Sequence, residues 1–167
     1  VTMRYQLTML DSLDPFTRIH RENVASITCR LCEYLHCDKN FTSYCTICAY
    51  LHDIGKMFIP AKILNKPDKL TNEEFDIMKT HTLIGYKMCI DDIRLRPYAL
   101  GPKYHHETLD GTGYPEGLEG DLIPYEDQII KVADDYDALV TKRQYKTHIH
   151  ISDTLKDLIT VSYTHLR

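Results

Sequence analysis

At 167 residues, 43% of them hydrophobic, the chain is long enough for one domain with a real core. A net charge of −4 leaves no broad basic face, which excludes a long nucleic acid bound along a phosphate stripe. A small anionic ligand remains compatible if bound cations reverse the local field.

No apolar run reaches transmembrane length, and the N-terminus lacks the basic-then-apolar order of a signal peptide. Six Cys without an export signal point to reduced thiols and a cytoplasmic setting, the cytoplasmic part of a membrane sensor included. The first residue is Val1 rather than Met, so the chain is expected to be a piece of a longer one.

The hydrophobic period is helical nearly throughout. Val24, Ile27, Leu31 and Leu35 recur at three- and four-residue spacing in a helix expected from about Leu13 to Leu35. A more apolar helix is expected from Tyr44 to Ile54, stopped by Gly55. Lys56 to Leu70, with Pro60 and Pro67, reads as an ordered loop. Thr71-Asn72-Glu73-Glu74 is a capping box that opens a helix expected to run through His81 and Gly85 to about Ile90. A short helix is expected over Leu95–Glu107 and a shaped loop over Asp110–Pro124, which holds four Gly and two Pro. A helix from Tyr125 to about Leu139 follows, and Ser152 is placed to cap a last one. No strand, repeat or low-complexity tract stands out, so the fold class is all-α.

The chemistry lies in where His and Asp fall. His20, His52-Asp53, His81, His105-His106 and Asp134 sit on five segments far apart in sequence. Helices packed in a bundle can point such groups at a common metal site. Imidazole together with carboxylate suits Fe, Mn or Zn better than an all-oxygen Mg site. A single His is more often a hydrogen-bonded core or surface residue. Adjacent pairs weaken that reading, because burying two polar side chains together needs several partners.

The run His52-Asp53-Ile54-Gly55-Lys56 resembles the HD motif of the HD-domain phosphohydrolases. His105-His106-Glu107-Thr108-Leu109-Asp110-Gly111-Thr112-Gly113-Tyr114-Pro115 is similar to the H-H-E-x-x-D-G-x-G-Y-P signature of the HD-GYP subgroup. Ile59-Pro60, Lys69-Leu70-Thr71, Met78-Lys79-Thr80-His81, Ile123-Pro124 and Val132-Ala133-Asp134 fall in register with it. The resemblance spans roughly His20 to Lys146.

That resemblance implies a single HD-GYP-type domain over 1–167, a helical bundle with a dinuclear metal centre in its core. The implied activity is hydrolysis of cyclic di-GMP to pGpG, GMP or both in bacterial signalling. The implied cofactor is two divalent ions per chain, Fe or Mn first, with Zn, Co and Ni also accepted by such a donor set. His20, His52, Asp53 and Asp134 are implied to hold one ion, and Asp53 to bridge to a second held by His81, His105 and His106. A water or hydroxide shared by such a pair is the implied nucleophile. Asp53 and Lys56 are thus the implied catalytic residues, Lys56 reaching the substrate phosphate as a point charge. Gly111 allows close backbone approach of the ligand, while Tyr114 either touches it or stacks beneath it. Arg143 and Lys146 resemble positions that contact the nucleotide, a solvated surface charge being the other reading of Lys146. Asp137, one turn after Asp134, reads as a hydrogen-bonding partner of a ligand rather than a ligand. Implied partners are a regulatory or sensor domain elsewhere in the full chain and proteins such as diguanylate cyclase domains.

Two departures qualify the resemblance. Phe16 stands where some members carry a Glu that binds a third metal, which implies a two-metal centre. Val161 to Arg167 fits no family pattern, so the C-terminal end is expected to be truncated. Other classes stay open: hydrolysis of another cyclic dinucleotide or a nucleoside phosphate, or a domain that binds without turnover. Cys29-x-x-Cys32 with Cys45-x-x-Cys48 also permits a structural zinc site, although inside apolar helices at i, i+3 these Cys are better read as small core residues.

Overall fold

The computed structural model describes residues 15–144. The described residues are helical, with one isolated antiparallel bridge, Asp110 to Glu119, and no strand. In chain order they form α1 (Pro15–Tyr34), α2 (Lys39–Leu51), a 3₁₀ turn (Ile54–Phe58), α3 (Ala61–Leu64), α4 (Asn72–Lys79) and α5 (His81–Asp91). A 3₁₀ turn (Arg96–Tyr98), α6 (Leu100–Tyr104), a third 3₁₀ turn (Gly120–Leu122) and α7 (Tyr125–Gln144) complete the order.

Two apolar clusters organise these elements. Val24, Ala25 and Cys32 of α1 meet Cys45, Cys48 and Ala49 of α2 and Ile129, Ile130 and Ala133 of α7. Leu51, Ile54, Cys89, Leu95 and Ala99 form the second, which joins the end of α2 to α5 and the turn before α6. The Cys residues therefore act as small core side chains. Cys45 and Cys48 direct their thiols at the Glu126 and Tyr98 carbonyls, at 3.7 and 3.8 Å. Among the described residues the groups of donors that can hold a metal are His and Asp, and no Cys takes part. The zinc module is not formed.

Element boundaries depart from expectation for local reasons. Helix α2 begins five residues before Tyr44, because Asp38 caps it by accepting from the Phe41 amide at 2.9 Å. It ends at Leu51, which leaves His52 as its cap and Asp53 (φ −98°, ψ 10°) in the sparsely allowed bridge region just beyond. The capping box at Thr71 forms in both directions, Glu74 amide to Thr71 Oγ1 at 3.2 Å and Thr71 amide to Glu74 Oε2 at 2.8 Å. The helix it opens is not continuous to Ile90. It stops at Lys79, Thr80 turns its hydroxyl back onto the Ile77 carbonyl at 2.6 Å, and α5 starts at His81.

Helix α4 buries no residue, whereas α5 buries His81, Thr82, Gly85 and Cys89. Gly55 explains the close seat of α5: a Cβ there would lie 1.9 Å from the His81 carbonyl oxygen and 2.6 Å from the Gly85 nitrogen. The helix expected over Leu95–Glu107 is split and shortened, with Pro97 opening a 3₁₀ turn and Pro102 unable to donate within α6. Leu13, Lys146, Ser152 and Val161 to Arg167 lie outside the described residues.

Candidate metal centre

Five of the seven candidate donors come from helix ends, where side chains can be aimed without a continuing helix. His52 and Asp53 follow α2, and His105 follows α6 with His106 next to it. His81 opens α5, while His20 and Asp134 lie inside α1 and α7. His52, Asp53, His81 and His105 are almost wholly buried.

These residues converge as two groups. Asp53, His81, His105 and His106 offer donor atoms all within 4.8 Å of one another, and so do His20, His52 and Asp134. Asp53 lies between the groups and faces each with a different oxygen. Its Oδ1 is 3.4 Å from His81 Nε2 and 3.6 Å from His105 Nε2. Its Oδ2 is 3.2 Å from His52 Nε2, 3.7 Å from His20 Nε2 and 2.6 Å from the Lys56 ammonium. His20 Nε2 is also 3.0 Å from Asp134 Oδ1.

The outer nitrogens of four imidazoles are tied down. His52 Nδ1 donates to the Ala49 carbonyl at 2.5 Å, His81 Nδ1 to Met78 at 2.7 Å and His105 Nδ1 to Pro102 at 3.0 Å. His20 Nδ1 donates to Asp137 Oδ2 at 2.6 Å, and Asn23 Nδ2 braces Asp137 from the other side at 3.0 Å. A neutral imidazole that donates from Nδ1 presents a lone pair at Nε2. The Nε2 atoms of His52, His81 and His105 therefore point lone pairs at a carboxylate. Accordingly His52 Nε2 and Asp53 Oδ1 are buried without any hydrogen-bond partner despite their close neighbours.

Such an arrangement is repulsive unless a cation sits within it. The donor set therefore fits divalent first-row metals, with His oriented through its other nitrogen as metal-ligating His usually is.

The local electrostatics agree. Burial pushes His105 down to about 4, with the neighbouring His52 and His81 adding to it, so this imidazole stays neutral. Burial, aided by His105, also holds His106 well below its ordinary value. Burial would lower His20 too, but Asp134, Asp53 and Asp137 together overcome it and raise the group to about 9. Burial alone would raise the Asp53 carboxyl; His52 and Lys56 outweigh it and hold the group well below the carboxylate range.

Beside the centre, Tyr114 stacks on His106 with ring centroids 4.7 Å apart and planes at 19°. Gly111 adopts φ 76° with its open side against the Glu119 side chain, which makes it a turn former in the loop. Arg143 lies in the last turn of α7 with its side chain outside the described set, and Lys146 lies beyond the described residues. The side chain of Phe16 is likewise outside it.

Sequence reasoning did not foresee three contacts. Lys56 is ion-paired to Asp53. Asn23 supports Asp137, a contact foreshadowed only by its place three residues after His20 on the same helical face. Glu107, 2% exposed, accepts from three consecutive backbone amides, Glu116 at 2.7 Å, Gly117 at 3.1 Å and Leu118 at 2.9 Å.

The model of the HD domain family matches residues 5–166. This chain belongs to the HD domain family. The HD domain described here is 38% identical over 152 residues to a cyclic di-GMP phosphodiesterase of Thermotoga maritima, covering 89% of this chain and 41% of that protein. It is 38% identical over 135 residues to the cyclic di-GMP phosphodiesterase response regulator RpfG of Xanthomonas campestris pv. campestris, covering 80% of this chain and 36% of the regulator. The chain thus spans about two fifths of the length of these relatives. In fold, this HD domain is similar to the phosphodiesterase PgpH HD domain of L. monocytogenes, solved in complex with cyclic-di-AMP. The TM-score is 0.71 at 17% identity, covering 95% of this chain and 82% of that one. HD domain phosphohydrolases are metal-dependent, and the His/Asp cluster gives this chain the means to bind metal. No helix among the described residues is long and apolar enough to cross a membrane.

Proposed function

We propose that this chain is the catalytic part of a cytoplasmic phosphodiesterase that hydrolyses cyclic di-GMP to pGpG, GMP or both, using two divalent ions. The observation that carries this reading is Asp53, a buried carboxylate with one oxygen toward each of two imidazole-rich groups. His20, His52 and Asp134 would hold one ion with Asp53, and His81, His105 and His106 would hold the other with it. Bound there, the ions supply Lewis acidity toward a phosphate oxygen and an activated water.

The chain's own residues do the rest. Asp53 keeps both sites charged and close. Asp137, braced by Asn23, accepts from His20 Nδ1 and so turns its Nε2 toward Asp134 and Asp53, where an ion would take the place of the second ring proton. The Ala49, Met78 and Pro102 carbonyls likewise accept from Nδ1 of His52, His81 and His105. Lys56, three residues after Asp53 and 23% exposed, is placed to add positive charge beside a phosphate held at the centre. Arg143, in the last turn of α7, and Lys146, outside the described residues, are the candidates for nucleotide contact.

The test is turnover of cyclic di-GMP by protein purified without oxygen, with metal quantified in parallel. Hydrolysis that disappears with chelation and returns with Mn²⁺ or Fe²⁺ is the expected result. Protein that holds two ions yet binds cyclic di-GMP without turnover would shift the reading to a binding domain.

A further inference from the structure

Four of the five candidate imidazole ligands are oriented by a hydrogen bond from the outer ring nitrogen: His20, His52, His81 and His105. Among the described residues His106 has no such bond. What touches its ring is aromatic: His81 edge-on at 5.1 Å, His105 at 4.1 Å and, face to face, Tyr114 at 4.7 Å with planes 19° apart. The two His neighbours are candidate ligands themselves, so among the described residues the ring packed on His106 from outside the ligand set is that of Tyr114.

The loop carrying Tyr114 is fastened back to the residue next to His106. Glu107 binds the amides of 116, 117 and 118 with one carboxylate, directly after Pro115. On the other side of Tyr114, the Tyr114 amide donates to the His106 carbonyl at 3.3 Å. Gly113 makes that approach possible, since a Cβ there would lie 2.4 Å from the same carbonyl oxygen and 2.5 Å from Glu107 Cα. Phe75 of α4 closes the outer edge of the Tyr114 ring at 6.1 Å, near perpendicular. The phenol is mostly buried, and burial raises it far above its ordinary value with Asp53 and Asp134 adding to the effect, so it stays neutral.

We propose that Tyr114, locked by the Glu107 carboxylate, is the positioning residue for His106, replacing by stacking the hydrogen bond that orients the other ligand imidazoles. The inference rests on the two-ion reading above. It assigns to the turn His105-His106-Glu107 three successive tasks: ligand, ligand and clamp. It also gives the Tyr of the loop a role that needs its ring and not its hydroxyl.

The experiment is Co²⁺ titration of the metal-free protein, followed by calorimetry and by the visible absorption of bound Co²⁺. Wild type takes up two ions. Tyr114→Leu takes up one with wild-type affinity and the other about 10–100-fold more weakly, the loss typical when support behind a ligand is removed. The altered absorption band is the one that His106→Ala also alters. Tyr114→Phe, which keeps the ring, restores both ions. Glu107→Gln keeps the side chain's volume but exchanges an acceptor for a donor, and gives the same site-selective loss to a smaller degree.

Wild-type affinity for both ions in Tyr114→Leu overturns the proposal, as does a Tyr114→Phe as impaired as the Leu variant. If Tyr114→Leu does not fold, unchanged affinities in Glu107→Gln overturn it instead. A wild-type chain that takes up no Co²⁺ overturns the metal-centre reading itself, which is a different failure.

Discussion

His81 and His105 bring their Nε2 atoms to 3.3 Å of each other while each donates from Nδ1 to a backbone carbonyl. Both atoms therefore carry lone pairs, and both also face Asp53 Oδ1. The backbone that sets this geometry is closely packed: His81 opens α5, which Gly55 allows to press against the turn that follows Asp53. A cation is the group that turns this repulsion into binding.

Two ions per chain is the stoichiometry that the proposed centre predicts. Asp53→Ala removes the carboxylate common to both groups and is expected to empty both sites. His20→Ala is expected to weaken mainly one, because His20 stands with His52 and Asp134. Elemental analysis of metal-replete protein checks this. A single ion, or three, in the well-occupied wild type contradicts it.

Lys56 separates chemistry from metal binding. Its ammonium sits 2.6 Å from Asp53 Oδ2, but as a cation it cannot be a ligand while protonated. Lys56→Ala is expected to retain both ions and to lose about 10²–10³-fold in kcat, the usual cost of removing a charge aimed at a reacting phosphate. Loss of metal from this variant, or full activity, refutes the role.

Asp127 offers a pH test away from the donor residues. It is fully buried and neither carboxylate oxygen has a hydrogen-bond partner. Burial, with Glu126 and Glu107 nearby, raises its carboxyl well above the ordinary value. Below the ordinary carboxyl range both folded and unfolded chains carry this proton, and the group costs nothing. As pH rises the unfolded chain ionises first, so stability falls by up to about 1.4 kcal/mol per pH unit until the folded group ionises too. Asp127→Asn is therefore expected to stabilise the protein, more at pH 8 than at pH 5. Thermal or urea unfolding at the two pH values decides it, and a destabilised or pH-independent variant rejects the account.

What was legible in the sequence was what is contiguous or periodic. His52-Asp53 and His105-His106 declare themselves as adjacent polar pairs in apolar surroundings, and the capping box at Thr71 forms as read. Boundaries set by a single side chain were less visible. The cap at Asp38 hides in a polar stretch, and the Thr80 break depends on α5 being drawn inward against Gly55 while α4 stays at the surface. Asp137 was read as a ligand's partner, but other contacts closed by tertiary folding were not legible: periodicity carries no sign that Lys56 would turn back on Asp53, or that Glu107 would gather the amides of 116–118.

The choice of substrate is the furthest step, and charge is the argument for it. Two ions, Lys56, Arg143 and Lys146 would concentrate positive charge in a chain whose net charge is −4. A compact, doubly anionic ligand suits that pattern, whereas the outlying phosphates of a polymer would meet an acidic surface. Glu107 draws in the Gly111 to Pro115 loop, and a site narrowed by that loop would favour a folded cyclic dinucleotide over an extended one. Arg143 stands nine residues beyond Asp134 on α7, about 13 Å along the helix axis. A guanidinium there can donate paired hydrogen bonds to guanine O6 and N7, a pattern that adenine, with an amino group in place of O6, does not accept. Cyclic di-GMP is accordingly expected to turn over faster than cyclic di-AMP, and only with divalent metal present. Arg143→Ala is expected to narrow that preference by about tenfold, within the roughly 1–3 kcal/mol that one paired base contact contributes. Equal rates on the two cyclic dinucleotides in the wild type, or faster hydrolysis of a simple nucleoside monophosphate, would leave the metal centre in place and move the substrate to the wider range of HD domain phosphohydrolases.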